Sequence, residues 1–277
     1  MDTMELVKCA QLDVLIEVKR ICDKYNIDYF LTGGTLLGAI RHGGFIPWDD
    51  DIDISMCRAQ YNYFIKVCRE ELDDAYEFFD WDLEPKSPLP FGKIRIKGTH
   101  YTEKISADAG MQDGIYIDIF PMDNLADNRT KAKIQWSICY LIRKILLLRC
   151  DFSITENKSV IKKLIYNMLC LLSQCLSVKK WKAIYDKVAT KENGKNTERV
   201  ICFGGAYSLK REECCRKMVE ELSEGKFEGI SFSIPRAYDK FLKRLFGNYM
   251  ELPEESERVG RHDIGDISFG QYYIKSH

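Results

Sequence analysis

The sequence predicts an α/β or α+β protein with a helical insertion. Three observations carry this: an apolar stripe at steps of three and four at the start, short β-prone runs carrying aspartates, and a basic middle that reads as two or three helices. All 277 residues balance 41 Lys+Arg against 42 Asp+Glu, with 45% hydrophobic and 30% charged residues. Such a composition suits a globular chain long enough to bury a large core and excludes collagen-like, coiled-coil and wholly disordered classes. Eleven cysteines form no C-x-x-C pair and no finger-spaced Cys/His set, which argues against a disulfide framework or structural zinc and for reduced thiols in a cytosol. No basic segment followed by an apolar one opens the chain, so a secretory signal is not expected.

Val7, Ala10, Val14, Val18, Ile21 and Tyr25 recur at steps of three and four and predict a first helix. Ile27 to Leu31 is short and aromatic and reads as a strand, followed by a tight turn, Thr32-Gly33-Gly34-Thr35, that opens a short helix over Leu36–Arg41. Gly43-Gly44 and Pro47 mark a loop. Asp51 to Met56 alternates as a strand, and Tyr61, Phe64, Ile65 and Cys68 predict another helix. Lys93–Lys97 and Gly114–Phe120 read as further strands. Residues 131–187 then hold twelve Lys/Arg against three Asp/Glu, a balance of +9 that leaves −10 elsewhere, since the total is −1. This contrast predicts a helical insertion over 131–194 within a domain built from 1–130 and 195–277. Beyond it, Pro235 is expected in a helix first turn and Gly247 at a helix end.

Within Trp48-Asp49-Asp50-Asp51-Ile52-Asp53-Ile54, residues two apart share a strand face, so Asp51 and Asp53 project together while the isoleucines face the core. Two adjacent carboxylates stay ionised only beside a cation, and hard oxygen ligands suit Mg²⁺ or Mn²⁺. An acidic turn is the plain alternative, which strict alternation with isoleucine disfavours. An EF-hand fails because Ile54 stands where it needs glycine and Gln60 where it needs glutamate. Asp118 is a lone acid in the apolar run Ile115–Phe120; it either pairs with a basic side chain or shares the metals, and the second option explains more. Asp123, just past Pro121, reads as a turn cap.

Gly33-Gly34-Thr35, between a strand and a helix, offers outward backbone N–H groups for phosphate. Neither a Walker A loop nor a Rossmann fingerprint is present. Arg41, Lys93 and Arg95 are candidate pyrophosphate partners, with Lys93 and Arg95 on one strand face, although each is also an ordinary surface charge. His262 is a candidate acid/base or phosphate donor, or a bland surface histidine.

The run from Tyr29-Phe30-Leu31-Thr32-Gly33-Gly34-Thr35 to Trp48-Asp49-Asp50-Asp51-Ile52-Asp53 resembles the signature of LicD-type phosphotransferases, a family that includes the fukutin-like ribitol-phosphate transferases. Gly114–Asp123 is similar to its second motif, and Phe246–Met250, Leu252-Pro253 and Arg261-His262 to its C-terminal one. The likeness spans roughly residues 5–126 and 230–263 and leaves the basic middle as the variable part. It implies a nucleotidyltransferase-like mixed sheet presenting the glycine turn, the Asp51/Asp53 pair and Asp118 as catalytic and metal-binding acids. It further implies Mg²⁺-dependent transfer of a phospho-alcohol, commonly phosphocholine from CDP-choline, to a hydroxyl of a glycan or lipid-linked glycan such as lipopolysaccharide, teichoic acid or capsule, with release of CMP.

Rival readings are a metal-dependent glycosyltransferase, a nucleotidyltransferase that moves the NMP, and a nucleotide-binding pseudoenzyme scaffold. Nucleic acid is not an expected partner, for the chain is not basic and carries no recognition module. Ile134–Cys150 and Ile161–Val178 are apolar but interrupted by polar and basic residues, so neither spans a bilayer. Two roles stay open for 131–187: helices lying on an anionic inner membrane surface, or a lid packed on the catalytic domain.

Overall fold

The computed structural model describes residues 2–103, 113–150, 160–260 and 262–273; for 160–166 it describes the backbone alone. Arg261 and the insertion's residues 151–159 lie outside the described residues.

Helix α1 (Thr3–Tyr25) starts at a capping box, in which the Asp2 carboxylate accepts from the Glu5 N–H, and stops at Asn26 in a left-handed conformation. Its stripe of Val7, Ala10, Val14, Val18 and Ile21 is fully buried, as the spacing predicts. Strand β1 (Phe30–Leu31) is shorter than the expected 27–31. Helix α2 (Gly33–Arg41) already includes both glycines, so they form its first turn rather than a turn before it. There follow β2 (Asp53–Cys57), α3 (Arg58–Glu71), β3 (Tyr76–Phe79), β4 (Gly92–Ile96), β5 (His100–Glu103) and β6 (Tyr116–Leu125). Strand β2 begins two residues later than alternation suggests, leaving Asp51 in the extended segment that feeds it.

The insertion supplies α4 (Arg129–Arg149), α5 (Val160–Ser173) and α6 (Val178–Ala189). The chain continues through β7 (Arg199–Ile201), the short α7 (Leu209–Glu212), β8 (Glu213–Cys215), the short α8 (Arg216–Glu220), β9 (Leu222–Phe227), β10 (Ile230–Pro235), α9 (Tyr238–Phe246) and β11 (Ile264–Ser268).

A seven-stranded mixed sheet runs β1-β2-β6-β4-β3, with β7 joined to β6 and β8 to β7. Among the described residues its one parallel pairing is β2 with β6; hairpin β9–β10 and the β5–β11 pair stand apart. The main core packs α1, α2, α3, α9 and the hairpin onto this sheet. A second cluster, including Leu125, Cys139, Ile142, Leu146, Tyr185 and Ile201, seats α4 and α6 at the end of β6 and β7. Helix α4 leaves Ile134, Ile138 and Leu141 exposed on its outer side. No described helix is long and apolar enough to cross a membrane.

Two expectations change. Asp123 is not a turn cap: it lies inside β6, where its carboxylate takes both forks of Arg58 at 2.7 and 2.8 Å and a bond from Asn193 at 2.7 Å. Pro235 closes β10 opposite Leu222 rather than opening a helix. That hairpin turns on Glu228 and Gly229, both at positive φ, a two-residue turn of the kind that matches strand twist. Gly247 ends α9 as expected.

Candidate active site

Register brings the acids together. In the parallel β2–β6 pair Asp53 is the direct partner of Asp118, so both carboxylates leave the same sheet face side by side. Asp51 precedes Asp53 by two residues on that face. The start of α2 meets them end-on: the Thr32 N–H donates to Asp53 O at 3.1 Å and the Asp53 N–H donates to Thr35 Oγ1 at 2.8 Å. Thr35 is buried, and this bond locks the mouth of β2 to the helix. Gly33 sits at φ +55°, and a Cβ there would lie 2.6 Å from Asp53 Oδ2; on Gly34 it would lie 2.3 Å from Asp49 Oδ2. Only glycine lets these carboxylates approach the helix N-terminus so closely.

The site is charged beyond what a protein interior tolerates unaided. Burial, the Asp49 charge and other nearby acids lift Asp51 to about 7, with His262 opposing. Burial, then Asp51 and Asp118, push Asp53 well above the usual carboxylate range. Burial raises Asp118 too, restrained by Lys93, whose Nζ lies 2.7 Å from Asp118 Oδ1 and 3.4 Å from the centre of the Tyr116 ring. Asp118 therefore does pair with a basic side chain, while also standing beside Asp53. No donor among the described residues hydrogen-bonds the carboxylate of Asp51 or Asp53.

His262 closes the far side. Its Nδ1 lies 2.9 Å from Asp50 Oδ1. Burial opposes the imidazolium, but the bond to Asp50 and the charges of Glu103, Asp51 and Asp50 prevail and raise it to about 9. Asp50, Asp51 and His262 form a candidate metal-binding cluster, their ligand atoms all within 4.8 Å of one another. This differs from the expected trio of Asp51, Asp53 and Asp118, and Asp50 within it is already committed to the histidine.

Two clefts meet at the acids. A 760 Å³ cleft is lined by Gly34, Arg41, Trp48, Asp49, Asp51 and Asp53; a 330 Å³ cleft by Gly33, Asp51, Asp53, Asp118, Arg143, Glu212 and His262 among others. Arg41 reaches the first, tethered through Nη1 to Tyr249 O at 2.7 Å. Lys93 is buried and engaged with Asp118. Arg95 shares the Lys93 strand face as predicted but points away from the clefts, its Nε donating to Glu77 Oε1 at 2.8 Å and its guanidinium lying over Phe79.

Residues the sequence did not single out complete the walls. Asp49 has the parity of Asp51 and Asp53, a signal that was available. Asp50 has the opposite parity and finds its partner 212 positions away, which no local pattern announces. Arg143, from α4, donates to the carbonyls of Phe203 and Gly205 at 2.9 and 2.7 Å; Glu212 is lifted to about 7 chiefly by burial.

A glycine-opened helix N-terminus here meets carboxylates from two neighbouring strands of a mixed α/β fold of nucleotidyltransferase-like architecture. Residues 26–138 match the family model described as LicD/FKTN/FKRP, nucleotidyltransferase domain. Over 262 residues the chain is 28% identical to the lipopolysaccharide cholinephosphotransferase LicD of Haemophilus influenzae, covering 91% of this chain and 92% of that protein. A 36-residue stretch is 47% identical to human ribitol 5-phosphate transferase FKRP, 13% of this chain and 7% of that one. The likeness to the LicD/FKTN/FKRP nucleotidyltransferase domain thus falls on the segment that carries the glycine turn, Asp51, Asp53 and Asp118, and the likeness to the Haemophilus protein extends over most of both chains.

Proposed function

We propose that the protein transfers a phospho-alcohol group, phosphocholine or a close relative, from a CDP-alcohol to a hydroxyl of a cell-surface glycan or its precursor, releasing CMP. The supporting observation is the face-to-face register of Asp53 and Asp118 beside Asp51, at the meeting point of two clefts. One cleft suits the donor, with the α2 N-terminus and Arg41 toward its diphosphate; the other leaves the acceptor hydroxyl a path from the opposite side. That arrangement fits in-line displacement at phosphorus, where the new bond joins acceptor oxygen to phosphorus as the bond to the CMP oxygen breaks.

The donor set fits Mg²⁺ or Mn²⁺: hard carboxylate oxygens of Asp51, Asp53 and Asp118, mutually destabilised, with those of Asp51 and Asp53 accepting no hydrogen bond from the described residues. A divalent ion bound there supplies positive charge to a diphosphate and to the leaving oxygen. The chain's own groups do the remaining work. Backbone N–H groups of Gly33 and Gly34 face the anionic donor. Lys93 anchors Asp118 through Oδ1, leaving its other oxygen to accept the acceptor's proton. His262, kept cationic by Asp50, adds positive charge at the rim of the acid cluster.

The test is CMP release by purified protein with Mg²⁺ from CDP-choline, CDP-ribitol and CDP-glycerol, against UDP- and GDP-sugars. At least one CDP-alcohol is expected to be cleaved, with EDTA abolishing turnover. Asp51→Asn and Asp53→Asn each lose at least about a hundredfold in rate, while the metal-free proteins melt no lower than wild type because like-charge repulsion is relieved. Full activity in both variants, or turnover confined to nucleotide sugars, overturns the reading.

A further inference from the structure

Beyond the catalytic clefts, the molecule carries a second concave surface of 1100 Å³ between α4, α7 and the end of α9. Six cationic residues line it: Arg129, Lys133, Lys210, Arg211, Lys243 and Arg244. Its single acid, Glu213, is buried and saturated by Arg129 at 2.7 Å, by Arg244 at 3.1 Å and by Arg199. Lys243 pairs with Asp239 at 2.9 Å. Lys133 and Lys210 have no carboxylate partner among the described residues, and the Arg211 guanidinium lies over the Tyr207 ring without one. The groove thus presents uncompensated positive charge.

Its position links it to the acids. Tyr207 and Phe246, rings 5.9 Å apart and edge-on, line the smaller catalytic cleft, while the next residues along each segment, Ser208 and Gly247, line the groove. The groove and the cleft are thus neighbours, parted by this pair of rings. Trp136, stacked on Tyr140 at 5.0 Å and 19°, supplies a flat aromatic surface there. Leu209, the aliphatic side chain of the lining, packs into the second core cluster. Cations beside an aromatic plate, in a concavity without protruding aliphatics, suit a phosphorylated saccharide; a bilayer surface calls instead for apolar groups that project.

We propose that this groove binds an anionic, phosphate-bearing stretch of the acceptor glycan next to the hydroxyl that receives the group. The word acceptor rests on the transfer reading above, but the anion site itself does not. The test is direct binding of the full chain to phosphorylated dextran, to unmodified dextran of equal length, and to phosphatidylglycerol vesicles. Phosphorylated dextran is expected to bind and unmodified dextran not. The double variant Lys133→Glu/Lys210→Glu raises the Kd at least about tenfold, added salt weakens wild-type binding, and Asp53→Asn binds as wild type. CMP release from a CDP-alcohol without acceptor stays unchanged in the double variant. Should no CDP-alcohol be cleaved while the double variant still loses phosphorylated dextran, the transfer reading fails and the anionic-glycan groove stands. Unchanged affinity in the double variant, equal loss in Asp53→Asn, equal binding of unmodified dextran, or capture by vesicles alone overturns the proposal.

Discussion

Gly33 shows how a single backbone choice builds the site. Its left-handed φ of +55° and the 2.6 Å that a Cβ would leave to Asp53 Oδ2 mean that alanine strains the backbone and displaces a carboxylate together. Gly33→Ala is expected to cost about 1–2 kcal/mol in backbone strain, read as a lowered urea midpoint, and to reduce kcat by more than that loss of stability explains. Gly34→Ala, free of the left-handed strain, should lower kcat with a smaller stability change. At this scale the sequence was informative where the chemistry is local. The double glycine after a strand, and the alternation of Asp51 and Asp53, could be read directly. The roles of Asp50 and Lys93 could not, because they depend on His262 and Asp118, residues far off in the chain that only the fold brings near.

Strand β6 does more than its short sequence signal implied. The apolar run suggested an end at Phe120, yet the strand continues through Pro121 to Leu125. Strand β4 pairs with it only as far as Ile119 and β7 only from Asp123, so Pro121 falls in the gap where a missing N–H removes no ladder bond on that side. One strand therefore carries Asp118 for chemistry and, five residues on, Asp123 for structure. The Arg58–Asp123 fork is buried, the aspartate side chain only 1% exposed. Asp123→Ala strands the guanidinium and is expected to destabilise by about 3–5 kcal/mol, whereas Arg58→Met with Asp123→Leu should lose much less. Chemical denaturation of the two proteins checks this. Helices α1 and α3 were legible from periodicity alone, whereas the insertion was legible only as two or three helices in a basic stretch. The β9–β10 hairpin was not, since its Glu-Gly turn lacks the usual asparagine or aspartate signal and β9, apolar only at Leu222 and Phe227, shows no alternation, although Ile230-Ser231-Phe232-Ser233-Ile234 in β10 does alternate.

Across the whole molecule, the last described segment is clasped back onto the first. Strand β11 pairs with β5, the Tyr272 hydroxyl donates to Asp13 Oδ2 at 2.8 Å, and His262 holds Asp50. Because the folded protein raises His262 from 6.5 to about 9, its contribution to stability is complete below about pH 6.5 and disappears as pH climbs through about 9. The gap in denaturation midpoint between wild type and His262→Asn should thus be widest near pH 6 and close by pH 10; a gap that widens with pH contradicts the assigned pair. The nucleotidyltransferase-like mixed sheet could be foreseen through family resemblance, while the two clefts and their shared wall of acids arise only from packing of remote segments. This long-range clasp bears on biosynthesis. Residues around 50, 118 and 262 must all have emerged from the ribosome before the acid cluster can assemble, so Asp50 waits through 212 further residues of synthesis for its histidine, about 10–40 s at about 5–20 residues per second.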